Sequence, residues 1–283
     1  MMTEVYSNID TTMLYYGTPD GSRLGAHFTF NFWTFIMGLS KGFSGSDLAA
    51  SVQNWLDHVP SAYTSNWVLG NHDQTRVSTR LGPENIDALN MLVALLPGIQ
   101  VTYNGEEIGQ ENGEVTCEEG YDPQAIKNCS TFNETSRDFQ RTPIQWDTTV
   151  NAGFNDGAKP WLPVSSKYLQ TNLADQEGDN LNSHYNIYRQ LLNMRHDFKD
   201  GFQDLNIQGT SELLSLEKVL PNGNVYNYIF NVQDNEYVFS DDADIPGEVV
   251  IRSSNSEYNQ GDAFNASQPL KPREAVIFKK FNY

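Results

Sequence analysis

From the amino terminus to about residue 200, short apolar, β-favouring runs alternate with helix-length amphipathic runs, and the alternation then stops. A strand followed by a helix and another strand places the two strands parallel, so this part is restricted to a parallel α/β sheet or barrel. Strands or strand ends are expected at residues 1–5, His27–Phe35, Trp67–Leu69 and Ile99–Tyr103. Helices are expected at Ile9–Tyr16, at Leu48–His58 with Ser46-Asp47 as its cap, at Asn85–Leu96 and at Ser183–His196. In the third of these Ile86, Leu89, Leu92, Val93 and Leu96 share a face, and Pro97-Gly98 ends it. Between Gly109 and Gly178 periodicity fades, and a loop of that length in a compact domain is commonly functional. Beyond Gly201 the pattern changes to short alternating runs at Leu213–Val219, Val225–Val232, Tyr237–Phe239, Glu248–Ile251 and Ala275–Lys279. Turn residues such as Pro221-Asn222-Gly223-Asn224 separate them, which describes an antiparallel all-β module. The expected division is therefore an α/β part at 1–200 and a small all-β domain at 201–283. Four strand–helix units make half of an eight-unit barrel, and half a barrel has two open sheet edges.

The 283 residues are 39% hydrophobic and 12% aromatic, a globular composition. A formal net charge of −18 disfavours nucleic acid and anionic membrane surfaces as partners. No apolar run is long enough to span a membrane, and the amino terminus lacks the charged leader and apolar core of a signal peptide. The only cysteines, Cys117 and Cys129, lie in one polar loop, which suits a local disulfide and an oxidising compartment better than two free thiols. Three triplets fit the glycosylation pattern, at Asn128, Asn133 and Asn265, and two of them adjoin the cysteines. No CxxC pair or paired histidines accompany the cysteines, so no metal is expected, and nothing in the sequence asks for a cofactor.

The stretch SNWVLGNHDQTR, Ser65–Arg76, carries the chemistry. An apolar strand breaks at Gly70 and presents Asn71, His72 and Asp73 in a row, and the carboxyl ends of barrel strands are where catalytic residues sit. Glu4 stands in the same kind of place at the end of Met1-Met2-Thr3. Two carboxylates and a histidine at strand ends suit glycosidic bond cleavage, which needs a proton for the leaving oxygen and fixed negative charge beside an oxocarbenium-like transition state. The plainer alternatives are a surface glutamate, a helix-capping aspartate and a satisfied core histidine.

The motifs decide between these. VLGNHDQTR (Val68–Arg76) resembles the fourth signature region of the α-amylase superfamily, and MTEVY (Met2–Tyr6) resembles the third. SRDFQRTPIQWD (Ser136–Asp147) resembles a loop of its α-glucosidase branch, and TCEEGYDPQAIKNCSTF (Thr116–Phe132) is similar to insect maltases. The resemblance implies a retaining α-glucosidase that removes terminal α-linked glucose from maltose, sucrose and short oligosaccharides. It implies Glu4 as general acid/base, Asp73 as the second essential carboxylate and His72 as a donor to a sugar hydroxyl. An arginine of the long loop, Arg137 or Arg141, would meet the terminal sugar, with Arg137 preferred. Glu106, Glu107 and Arg76 are expected to be structural, and Gln145-Trp146 to pack the loop down. The superfamily's DGFR-DA stretch, which bears the nucleophile, is absent from this sequence. The expectation is thus the carboxyl-terminal half of a (β/α)8 TIM barrel (strands five to eight and the long loop) with its β domain, inactive as an isolated piece. An extracellular location is expected, with the signal peptide in an amino-terminal part. The competing reading is a non-catalytic, binding or transporter-associated relative. Retention of Glu4, His72 and Asp73 argues against it, as does the lack of a membrane span in this stretch.

Overall fold

The structure, a computed structural model, describes residues 1–18, 22–199, 201–240 and 246–280. Positions 200 and 283, where the two expected segments end, lie outside the described residues. In chain order the strands are β1 (Met2–Thr3), β2 (Phe28–Thr29), β3 (Asn66–Val68), β4 (Ile99–Val101), β5 (Asp204–Gly209), β6 (Leu213–Val219), β7 (Val225–Asn231), β8 (Gly247–Arg252) and β9 (Ala275–Lys280). The helices are α1 (Ile9–Met13), α2 (Gly45–His58), α3 (Val77–Leu81), α4 (Ile86–Leu95), α5 (Phe132–Thr135), α6 (Leu173–Glu177) and α7 (His184–Arg195). The chain forms two compact units: Met1–Leu69 with Asp87–Val101 and Ile187–Tyr283, and Gly70–Ile86 with Thr102–Asn186.

In the first unit β1 runs parallel to β2 and β3 parallel to β4, as strand–helix alternation requires. A side chain links the pairs. The buried Asn66 amide donates to the Thr29 carbonyl at 2.7 Å and its oxygen accepts from the Asn31 N–H at 2.8 Å. Phe32, Ile36 and Val68 pack beneath, with Phe30 and Val101. The strand expected over His27–Phe35 stops at Thr29, and Trp33–Met37 is a wide π-type helical turn. Asn31 is the cause: its Oδ1 accepts from the Thr34 N–H at 3.0 Å, the bond with which a helix is capped, and this local pairing overrides the β preference of the aromatics. The cap of α2 also differs from expectation. Ser44, not Ser46-Asp47, is the N-cap, in a reciprocal box with Asp47.

The carboxyl-terminal strands form one antiparallel sheet in the order β5-β6-β7-β9-β8. The turn expected at Pro221–Asn224 joins β6 and β7, with Gly223 at φ +82°. Sequence patterning missed β5, where Leu205 and Ile207 alternate with Asp204, Asn206 and Gln208. With two apolar side chains and neither fully buried, this edge strand leaves a faint signal. Tyr237–Phe239 forms only a bridge from Tyr237 to Leu270. One face of the sheet holds Val249, Tyr258, Phe264, Leu270, Val276 and Phe278. Toward α4, whose residues from Ala88 to Leu95 bury all their apolar side chains, Tyr228 donates its hydroxyl to the Ala88 carbonyl at 2.9 Å. Lys218 Nζ donates to the Leu95 carbonyl at 2.6 Å, and Arg195 bonds the Ala94 and Gly98 carbonyls at 2.9 and 2.7 Å. Two basic side chains thus close the carboxyl end of α4, where carbonyls lack partners. Burial pushes the Lys218 ammonium down to about 7, and neighbouring Arg195 adds to the effect. At the other end of the sheet the backbone of α2 meets the β5–β6 turn: a Cβ on Gly45 would run into the Leu213 carbonyl, and one on Gly209 into that of Gly45.

The second unit is mostly loop. It carries its own small core of Val115, Ala125, Phe132 and Leu162, against which Cys117 and Phe139 pack. Cys117 and Cys129 are joined by a disulfide, with Cα atoms 5.5 Å apart.

Candidate functional site

The site is built within the second unit. β3 ends and the chain turns at Gly70, where a side chain would strike the Glu106 carboxylate. Asn71 then folds back, its Oδ1 accepting from the Asp73 N–H at 2.9 Å, which fixes Asp73 at the start of a turn rather than on a helix. Asp73 Oδ1 accepts from Arg137 Nη1 at 2.8 Å and from Arg141 Nη2 at 2.7 Å. Arg141 Nε also donates to the His72 carbonyl at 2.8 Å. The half-exposed His72 ring faces the other oxygen, Nε2 lying 3.6 Å from Asp73 Oδ2, beyond direct hydrogen-bond reach. Of the residues singled out in the sequence, His72, Asp73, Arg137 and Arg141 therefore come together, although the sequence favoured one arginine over the other.

Glu4 follows β1 in the first unit and is exposed. Asn128, Asn133 and Asn265 are also exposed. Glu106 and Glu107 are acceptors that anchor the turn after β4: Glu106 takes the Tyr103 N–H at 3.0 Å and Glu107 the Gly105 N–H at 2.8 Å. Full burial pushes the Glu106 carboxyl up to about 8, against the pull of the Tyr103 N–H and Arg76. Arg76 is buried, donates to the Asn104 carbonyl at 2.6 Å and stacks over the Tyr103 ring at 4.8 Å. Gln145 is buried and Trp146 is 44% exposed, and the main chain here is held by the Leu173 and Ala174 N–H groups, which donate to the Gln145 and Trp146 carbonyls at 2.9 Å.

Two residues of the cluster escaped the sequence reading. Asp122, whose side chain is fully buried, pairs with Arg137, and those hydrogen bonds hold its carboxyl far below the usual range and raise the guanidinium. Asp138 accepts the Tyr121 and Asp122 N–H groups at 2.8 and 2.9 Å. Among the described residues no group of three or more His, Cys, Asp or Glu is arranged to hold a metal ion. Chemically, the arrangement is a part-buried carboxylate with one oxygen taken up by two guanidinium groups and the other turned towards an imidazole. Such an acceptor suits a neutral, hydroxyl-rich ligand.

Residues 1–201 match the family described as "Alpha amylase, catalytic domain". Maltase 1 of Drosophila virilis is 41% identical over 197 residues, which is 69% of this chain and 31% of that protein. The salivary alpha-glucosidase of Aedes aegypti is 38% identical over 222 residues, 77% of this chain and 38% of that protein. A trehalulose synthase crystal structure superposes with a TM-score of 0.76 over 96% of this chain and 54% of that chain, at 22% identity, a likeness of fold alone. The chain belongs to the α-amylase family, on the branch of these insect glucosidases. It spans less than half the length of these curated relatives. The parallel strand pairs and the five-stranded antiparallel sheet fit the barrel and β domain of that family.

Proposed function

We propose that this chain is the proton-donating and sugar-holding part of a maltase-type α-glucosidase, a retaining glycoside hydrolase acting on maltose, sucrose and short α-glucosides. In this reading residues 1–200 supply half of a (β/α)8 barrel and residues 201–283 its β domain. The observation that carries it is the Asp73 cluster, in which two arginines orient a part-buried carboxylate beside His72. Asp73 and His72 hold hydroxyls of the reacting sugar, more tightly as positive charge develops on the ring. Arg137 and Arg141 set the plane of the Asp73 carboxylate, and one of them reaches the terminal sugar. Glu4 protonates the leaving oxygen and later takes a proton from water. Retention also needs a second carboxyl about 5 Å from the acid, across the bond, and the motifs of this chain offer no partner for Glu4 in that role. Disulfide bonding of Cys117 and Cys129, the exposed sequons at Asn128, Asn133 and Asn265 and the salivary relative support a secreted glycoprotein.

The test is to express residues 1–283, measure glucose binding by calorimetry and assay glucose release from maltose and sucrose. The expected result is measurable glucose binding that Asp73→Asn weakens, with negligible turnover. Turnover is expected once a segment with the DGFR-DA aspartate is joined upstream. Glucose binding unaffected by Asp73→Asn would overturn the site assignment. Robust turnover by residues 1–283, abolished by Glu4→Gln, would place a nucleophile inside this chain.

A further inference from the structure

The loop closed by Cys117 and Cys129 carries a carboxylate that none of these roles uses. We propose that Asp122 is a positioning residue for the sugar site, holding the Arg137 guanidinium in the orientation that presents Nη1 to Asp73. The proposal rests on the functional reading above and deepens it. Asp122 cannot touch a sugar, because its side chain is wholly buried. It acts on Arg137 through three bonds: Nε to Oδ2 at 2.8 Å, Nη2 to Oδ1 at 2.9 Å and the Arg137 backbone N–H to Oδ2 at 2.8 Å. A guanidinium is a rigid plane with its donors in fixed directions, so gripping the Nε–Nη2 edge sets where Nη1 points. It points at Asp73 Oδ1, 2.8 Å away. The grip is itself anchored. The Asp122 N–H donates to Asp138 Oδ2, its Oδ1 accepts from the Gln124 N–H at 3.1 Å, and the disulfide closes the loop on both sides. Without Asp122, the long arginine side chain would return to its ordinary rotamer freedom. Asp73 Oδ1 would then depend on Arg141 alone.

The experiment is a mutant cycle read by glucose affinity in residues 1–283, with circular dichroism and melting curves as a check on folding. Asp122→Asn is expected to weaken glucose binding at least tenfold. Arg137→Lys, which keeps the charge but loses the fork, is expected to do the same. The double variant should lose no more than Arg137→Lys alone, because both changes break one chain of contacts. A merely structural Asp122 would instead give losses that multiply. If Asp122→Asn does not fold, the loop is opened with Cys117→Ser and Cys129→Ser: affinity should fall in the wild-type background and stay level in the Arg137→Lys background. Wild-type affinity in Asp122→Asn, or multiplying losses, would overturn the inference alone. No glucose affinity in the wild type would overturn the functional reading and this inference with it.

Discussion

Arg137 Nη1 and Asp73 Oδ1 meet at 2.8 Å across 64 positions of sequence. The contact joins the polar turn after β3 to the middle of a loop that has little regular structure. Arg141 reaches the same oxygen from one turn further on, so a single carboxylate oxygen organises two cations.

Asp73→Asn keeps the shape of the side chain and removes its charge. Two guanidinium groups then face a neutral acceptor in a part-buried place. Stability should fall by about 1–3 kcal/mol, the range for a partner lost from charged hydrogen bonds. Urea unfolding monitored by tryptophan fluorescence measures the loss, and glucose affinity should drop at least tenfold in the same preparation.

Opening the Cys117–Cys129 bridge frees a short loop in the unfolded chain. The chain-entropy relation puts the cost at about 3 kcal/mol. The Cys117→Ser, Cys129→Ser double variant should therefore melt clearly below the wild type in differential scanning calorimetry. An unchanged melting temperature would show that the small core around Val115, Phe132 and Leu162 holds the loop without it.

Glu106 gives a pH dependence of definite sign. Its carboxyl titrates near 8 in the folded protein and near 4.5 when unfolded, so the folded state binds more protons between those values. Stability from this group is fully present below pH 4.5 and is lost as pH rises through 8. The slope is about 1.4 kcal/mol per pH unit at most. Glu106→Gln, which still accepts from the Tyr103 N–H, should flatten the profile and be more stable than wild type at pH 8. Chemical unfolding at a series of pH values tests this.

Lys218 works in the opposite direction over a higher range. Its folded value near 7 lies below the unfolded one near 10.4, so the unfolded chain binds more protons between them and stability rises with pH through that window. Lys218→Met keeps an unbranched apolar side chain, removes the ammonium that lies 4.1 Å over the Phe198 ring, and cannot titrate. Its stability relative to wild type should be most favourable at pH 6 and decline steadily towards pH 10, as measured by guanidinium unfolding.

Much of this was legible in the sequence, for identifiable reasons. β6 was read to the residue, because Leu214, Leu216 and Lys218 alternate inward against Leu213, Ser215 and Glu217. His72 and Asp73 announced themselves by following an apolar strand. The strand assigned to His27–Phe35 stops at Thr29 because one side chain, Asn31, outcompeted the β preference of the aromatics that follow it. That contest depends on Asn66, 35 positions away, and does not show in local periodicity. Asp122 was illegible for a related reason. An aspartate before proline in a polar loop reads as a turn former until the arginine 15 residues later is seen to fold over it.

The meeting of Gly45 with Gly209 and Leu213, together with the bonds from Tyr228 and Lys218 to α4, bears on how far the five-stranded sheet can be treated as a portable module. Main chain lies against main chain there, with no side-chain cushion to absorb a shift. A protein engineer who grafts residues 201–283 onto another protein would carry over a tyrosine and a lysine cut to fit carbonyls that stay behind. The graft would need α2 and α4 to travel with it. A protease would meet the same obstacle, since cutting near residue 201 severs the connection without parting the surfaces. The two pieces should therefore co-purify after nicking, and come apart only in denaturant.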